Sequence, residues 1–436
     1  MTAAMMFLVL FALIFVGVPI AFAMIGTAVA FGYGVFGPAV IHQVVEKVGD
    51  VSGNFVLSAI VFFVFMGCML ERAKIADRLF ESLFIWTRRL PGGLAVATLL
   101  LCVVFAATAG VVGATETVVG LLAIPVMLRH GYDKPLICGT ICAGGSLGTI
   151  IPPSIIPVVI GPLANVSVGD LLVGMLFPGL IMAGLYIVYV VGLTLVNPKV
   201  APRIDEGPEF SFAEKVRKTW ASLIPPAILI TAVLGSMLAG IASPSEAGGI
   251  GALGAVGLSI AYGSFTWAGL HEAIVKTVKI TAMIMTIVLA GSIMTGVFSA
   301  AGGIDGAKAL VNYLGLGKWG LLFLVLGLAF VAGFILDWIS IALIMIPIFT
   351  PLLVAMGHSA EWFCILFLIV LQTSYLTPPM APAIFYMRAI APESITTSDM
   401  YRGVIPFIAL QLVTLAIVMC FPAIALWLPS QVLGFK

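Results

Sequence analysis

Charge is scarce in this chain of 436 residues: 9% are Asp, Glu, Lys or Arg, while 62% are hydrophobic. A soluble domain carries about a quarter charged residues. Surface grows almost as fast as mass at this size, so a water-soluble fold could not hide so much apolar side chain. The net charge is +1, which gives no footprint for nucleic acid. Four His (His42, His130, His271, His358) are scattered, and the six Cys form no CxxC pair, so no transition-metal site is indicated. Cys138 and Cys142 share one helix face, which fits ordinary apolar packing. There is no G-x-S-x-G, no Walker A motif and no His pair at metal spacing; no cofactor is implied, and the chain does not read as an enzyme or, alone, as an ATP-driven pump. Strict apolar/polar alternation is also missing, which excludes a membrane β-barrel.

What remains is long runs apolar on every side, such as 94–107 and 320–332. A helical span needs roughly 20 such residues, and helices satisfy their own backbone in lipid. The expected fold is therefore an all-α polytopic membrane protein in a lipid bilayer. Spans are expected at 3–35, 53–70, 94–128, 136–162, 170–196, 220–241, 246–264, 281–300, 320–356, 362–390 and 400–428. The first lacks a basic n-region and reads as a retained helix, not a cleaved signal. The stretches 71–90 and 266–280 mix charges with aromatic and aliphatic residues at helical spacing; they suit interfacial helices, or else plain cytosolic connections.

The chain repeats itself. GATETVVGLLAIPVML (113–128) precedes SLGTIIPPSIIPVVIG (146–161), as LDWISIALIMIPIFTP (336–351) precedes TSYLTPPMAPAIFYM (373–387). Interrupted apolar segments at matching places in two halves point to a transporter site. Pro and Gly break helices and free backbone carbonyls, tolerable at mid-membrane only around a cavity or ligand. The segments 136–162 and 362–390 are thus expected to be discontinuous helices, broken near 144–153 and 373–379. The segments 94–128 and 320–356 are expected to be re-entrant hairpins, with tips near 110–117 and 333–340. Counting both hairpins as non-crossing, with the N-terminus cytoplasmic and the C-terminus outside, puts only Lys47, Lys308, Lys318 and Lys436 of the 20 basic residues on the outer face. The two repeats are then inverted.

Polar groups inside apolar segments are candidates for function. Gly113, Thr115, Glu116 and Thr117 lie at the first tip, and Asp337 and Ser340 at the second. Ser146 and Thr149 lie at the first break; Gln372, Thr373, Ser374 and Thr377 lie at the second. Carbonyls and hydroxyls of this kind suit Na⁺, in two pseudo-symmetric sites, or they merely satisfy the broken backbone. Asp337 is a cation ligand or a helix cap. Glu116 binds the cation, carries a proton, or pairs elsewhere. Glu246 has capping-box spacing from Ser243. An anionic substrate suits the half-helix N-termini after the prolyl pairs, at Pro153, Ser154, Pro379 and Met380. Arg388 binds that anion or snorkels to the interface.

GVPIAFAMIG (17–26), RHGYDKPLICGTICAGGSLGTIIPPSI (129–155), IASPSEAGGIGALGA (241–255) and LTPPMAPAIF (376–385) resemble, in order and nearly end to end, the large membrane subunit of tripartite ATP-independent periplasmic (TRAP) transporters. The resemblance implies Na⁺-coupled uptake of a small carboxylate across the bacterial inner membrane by an elevator mechanism. It implies two partners, a small four-helix membrane subunit and a periplasmic substrate-binding protein. It places the family's break on Gly145, Ser146, Gly148 and Pro152–Ser154, and the second-tip acid on Asp337. It divides the chain into scaffold helices and arm (1–90), first transport elements (91–165), scaffold with a cytoplasmic loop at 197–219 (166–318), second transport elements (319–392) and a C-terminal scaffold helix (393–436). Many members have a Ser-rich first tip where this chain has GVVGATETVVG; this tip resembles a subgroup whose binding proteins take 2-oxo acids and related monocarboxylates. The alternatives are a stand-alone Na⁺/dicarboxylate symporter of the same superfamily and a non-catalytic energy-coupling membrane subunit.

Overall fold

The structure, a computed structural model, describes residues 2–73, 75–109, 112–204, 210–378 and 381–432. Among them every regular element is helical. In chain order they begin with α1 (Thr2–Phe15), α2 (Ile20–Phe36), α3 (Val40–Ser52), α4 (Ser58–Arg72) and α5 (Ile75–Thr87). The first repeat's core follows as α6 (Gly93–Ala109), α7 (Val112–Arg129), α8 (Lys134–Ser146) and α9 (Ile155–Ala164). Then come α10 (Val168–Gly174), α11 (Leu176–Val196), α12 (Phe212–Leu238), α13 (Pro244–Ala261), α14 (Trp267–Ala300) and α15 (Gly303–Tyr313). The second core is α16 (Lys318–Ala332), α17 (Trp338–Ala355), α18 (Ala360–Leu376) and α19 (Pro382–Ile390), followed by α20 (Thr397–Cys420) and α21 (Ala423–Val432). Seven helical stretches among the described residues are long and apolar enough to cross a membrane. One of them, Trp338–Ala355, lies within the run 320–356 expected above to be a hairpin that does not cross.

Three expectations need correction. The apolar run 3–35 is two helices, because Gly17 takes a φ of +95° and Pro19 then starts α2; a proline has no N–H to continue the ladder and suits a helix start. The stretch 266–280 is not a separate interfacial helix but the first half of the 34-residue α14. Its charges are held by α4: Arg72 pairs with Glu272, and Lys276 Nζ lies 2.6 Å from Glu71. The run 400–428 divides before Pro422, between α20 and α21. The polar connections before 53 and before 320 also hold amphipathic helices, α3 and α15. The stretch 71–90 does form a helix, α5, joined to α12 by Ser82–Ser222 and Trp86–Thr219 hydrogen bonds of 2.9 and 2.7 Å.

Each repeat core is a pair of helices followed by an interrupted helix. The pairs α6–α7 and α16–α17 are each in contact along their arms. The interrupted helices are α8 and α9, parted by a 3-10 turn at 147–149 and an irregular stretch to Ser154, and α18 and α19, parted at 377–381. Helix therefore persists to Ser146 and to Leu376, so both breaks begin later than the prolyl pattern suggested. The broken elements sit innermost, and nearly every residue of α8 and α18 is buried. The C-terminal α20, expected as scaffold, packs along α8. Glycines permit this: a Cβ on Gly139 would lie 2.2 Å from the Gly403 carbonyl oxygen, and one on Gly403 would lie 2.1 Å from that of Pro135.

Candidate functional site

The two halves of the site use the same device with the roles exchanged. In the first repeat the glycine is on the broken helix: a Cβ on Gly145 would lie 2.0 Å from Glu116 Cγ on the hairpin. In the second the glycine is on the hairpin: a Cβ on Gly333 would lie 2.2 Å from Ser374 Oγ on the broken helix. Each helix pair is thereby seated against its own broken helix. The tip of the first turn, 110–111, lies outside the described residues, as do Pro379 and Met380 in the second break.

Glu116 stands in the second turn of α7, not in an unwound tip. It is completely buried, and neither carboxylate oxygen has a hydrogen-bond partner among the described residues. Thr115 beside it is buried as well, and the Thr117 hydroxyl donates to the Gly113 carbonyl at 2.7 Å. A bare buried carboxylate is costly unless a cation or proton joins it.

Asp337 is a cap. It precedes α17, and Oδ2 accepts from the Ile339 and Ser340 amides at 3.0 and 3.3 Å while Oδ1 accepts from the Ser340 hydroxyl. This is the N-cap arrangement of a short acidic side chain. Glu246 caps likewise, in a reciprocal box with Ser243.

The break hydroxyls are satisfied locally. Thr149, Thr373 and Thr377 donate to the carbonyls of Ser146, Ile369 and Thr373 at 2.7–2.8 Å. A hydroxyl that donates keeps its lone pairs for a cation, so this bonding is compatible with a ligand role. Gly148 is buried in the 3-10 turn, and Pro153 and Ser154 are buried before α9, with Ser154 Oγ accepting from the Ile156 amide at 3.5 Å. Arg388 is exposed in the last turn of α19 and donates to the Ile395 carbonyl at 3.0 Å.

Ser146 joins the halves. Its Oγ donates to the Ala143 carbonyl and accepts from Gln372 Nε2 at 3.2 Å and Gln411 Nε2 at 3.4 Å. Tyr186 on α11 lies against Gln411 and Ser146. The amide oxygens of both glutamines are buried without partners among the described residues. Sequence reasoning singled out Gln372 but missed Gln411 and Tyr186. Gln411 carried a usable signal, a lone amide in the apolar run VIPFIALQLVTLAIV.

A cavity of about 640 Å³ opens beside the second tip. Asp337, Trp338, Ser374, Tyr375 and Tyr386 face it from the repeat core, and Phe22 and Thr286 from α2 and α14. The starts of α17 and α19 both reach it, at Ile339 and Pro382. Helix starts carry partial positive charge and favour anions. Pro153 and Ser154 lie outside its walls.

A family model, "Tripartite ATP-independent periplasmic transporter, DctM component", matches residues 7–424. The C4-dicarboxylate TRAP transporter large permease protein of Pseudomonas aeruginosa is 29% identical over 91% of this chain and 91% of its own. The ectoine/5-hydroxyectoine TRAP large permease of Ruegeria pomeroyi is 27% identical over 98% of each. Among solved structures, the YdaH transporter of Alcanivorax borkumensis has the same fold at a TM-score of 0.65, with 17% identity and 87% of each chain covered. MtrF of Neisseria gonorrhoeae superposes at 0.60, with 14% identity over 88% of this chain and 84% of that one.

Proposed function

The chain belongs to the DctM-component family of tripartite ATP-independent periplasmic transporters, and we propose that it carries a small organic acid across the bacterial inner membrane together with Na⁺. The observation that carries this reading is Glu116. A fully buried carboxylate with both oxygens unpartnered, pressed against Gly145 at a helix break, is a ready ligand for a hard monovalent cation. Backbone at Gly113, Gly145, Ser146 and Gly148 and the hydroxyl of Thr115 complete a first site. Asp337, Ser340, Thr373 and Thr377 supply the second.

The organic acid occupies the cavity beside Asp337 and Ser374, its carboxylate toward the starts of α17 and α19. The two helix–turn–helix pairs enter the membrane as re-entrant hairpins, from the cytoplasm in the first repeat and from the periplasm in the second. They move with the broken helices as one body against the remaining helices, which is an elevator. A small four-helix membrane subunit accompanies the chain, and a periplasmic binding protein delivers the acid. The relatives named for C4-dicarboxylate and for ectoine support a small carboxylate as cargo.

Uptake into proteoliposomes holding this chain and its small subunit tests the reading, with labelled succinate and pyruvate as probes. Accumulation is expected only with Na⁺ outside and the binding protein present. Uptake indifferent to Na⁺ overturns the coupling, and full uptake without the binding protein overturns the tripartite arrangement.

A further inference from the structure

Tyr386 stands where the two halves of the site meet. One side of it lines the cavity with Asp337, Ser374 and Tyr375. The other side closes on the first hairpin: a Cβ on Gly113 would lie 2.6 Å from Tyr386 Cζ and 2.7 Å from Cε1. Only a glycine admits a ring so near, so Gly113 is the seat of the tyrosine. Seven residues on, Gly120 receives Ile390, whose Cδ1 would lie 2.2 Å from an added Cβ. Gly113 and Gly120 are two turns apart on one face of α7; Tyr386 and Ile390 are one turn apart on α19. Helix α19 is thus keyed into the first hairpin by two side chains. It also follows the second repeat's break, so one short rod meets the cavity at its start and the opposite repeat along its side. Tyr375 lines the same cavity and lies against Tyr386.

We propose that Tyr386 is the positioning residue that couples occupancy of the organic-acid cavity to the first hairpin, its ring held between the bound acid and Gly113. The inference rests on the reading of that cavity as the acid site. An acid in the cavity fixes the ring; the fixed ring fixes the first turn of α7; the next turn carries Glu116. Na⁺ at Glu116 and acid in the cavity then favour one ring position, and each must tighten the other by the same factor. A ring that merely filled space would affect stability and leave this linkage untouched.

The test is equilibrium binding to the full chain with its small subunit in lipid nanodiscs. Na⁺ affinity is measured with and without saturating succinate or pyruvate, whichever the wild type accumulates. The wild type is expected to bind Na⁺ about tenfold more tightly, or better, with the acid present. Tyr386→Ala should reduce that ratio to about one, whatever it does to the affinity for either ligand alone. Tyr386→Phe, which keeps the ring, should preserve it, and Gly113→Ala, which displaces the ring, should reduce it. Should Tyr386→Ala fail to fold, Tyr386→Leu decides the matter. A wild-type ratio retained in the variants without the ring, or a ratio of about one in the wild type, overturns the proposal. Ser374→Trp separates the two ideas: it should abolish acid binding, and acid binding that survives it overturns the reading of the cavity instead.

Discussion

Glu116 and Gly145 interlock: a Cβ on Gly145 would lie 2.0 Å from Glu116 Cγ and 3.0 Å from Oε1. Gly145→Ala must therefore displace the carboxylate. Overpacking of this kind costs about 1–3 kcal/mol, and uptake should fall with it. Glu116→Gln keeps the shape and removes the charge. It should stay folded and raise the Na⁺ concentration for half-maximal uptake about tenfold or more, the scale of losing one charged interaction in a dry site. A Na⁺ titration of uptake checks this, and an unchanged midpoint would release Glu116 from the site.

The mirror contact gives a second prediction. Gly333→Ala meets Ser374 at 2.2 Å, whereas a Cβ on Gly327, one and a half turns earlier in α16, meets nothing within 4 Å. Gly333→Ala should destabilise by about 1–3 kcal/mol. Gly327→Ala should be neutral or stabilising by up to about 1 kcal/mol, since alanine favours the helix. Thermal unfolding of the detergent-solubilised protein distinguishes them. Ser374→Gly should restore Gly333→Ala.

Asp337 separates cap from ligand. Asn caps a helix about as well as Asp, while Ala loses about 1 kcal/mol. Asp337→Ala should lower the melting temperature and Asp337→Asn should not. Both should raise the Na⁺ requirement of uptake. A midpoint unchanged in Asp337→Asn would leave the residue as a cap alone.

Ser146→Ala removes an acceptor shared by Gln372 and Gln411. Each buried amide left unpaired costs about 1–3 kcal/mol, so a large drop in melting temperature is expected. Adding Gln411→Met should recover part of it, because deleting both partners costs less than deleting one. A double mutant no more stable than Ser146→Ala would show that the two residues do not share that loss.

Much of this arrangement was legible from the residues. Long apolar runs announce spans, and paired prolines announce breaks, because those are local properties of backbone and solvent. The interruption of α8–α9 and of α18–α19 follows from those signals. Exact limits do not, since packing holds α8 helical through Gly144 and Gly145 and α18 through Thr373. The continuity of α14 was hidden because Arg72 and Glu71, far away in sequence, take up its charges. The seats at Gly113, Gly145 and Gly333 were equally invisible: a glycine's spacing does not say which distant side chain needs the room.

The bonds at Ser146 also set an order for making the protein. Gln372 and Gln411 lie 226 and 265 residues further along the chain. At about 5–20 residues per second, the ribosome needs some tens of seconds to supply them. Until then the first break sits in the bilayer without its partners. Membrane insertion of the first repeat must therefore precede its consolidation, and a nascent chain stopped before α20 should be a substrate for quality-control proteolysis.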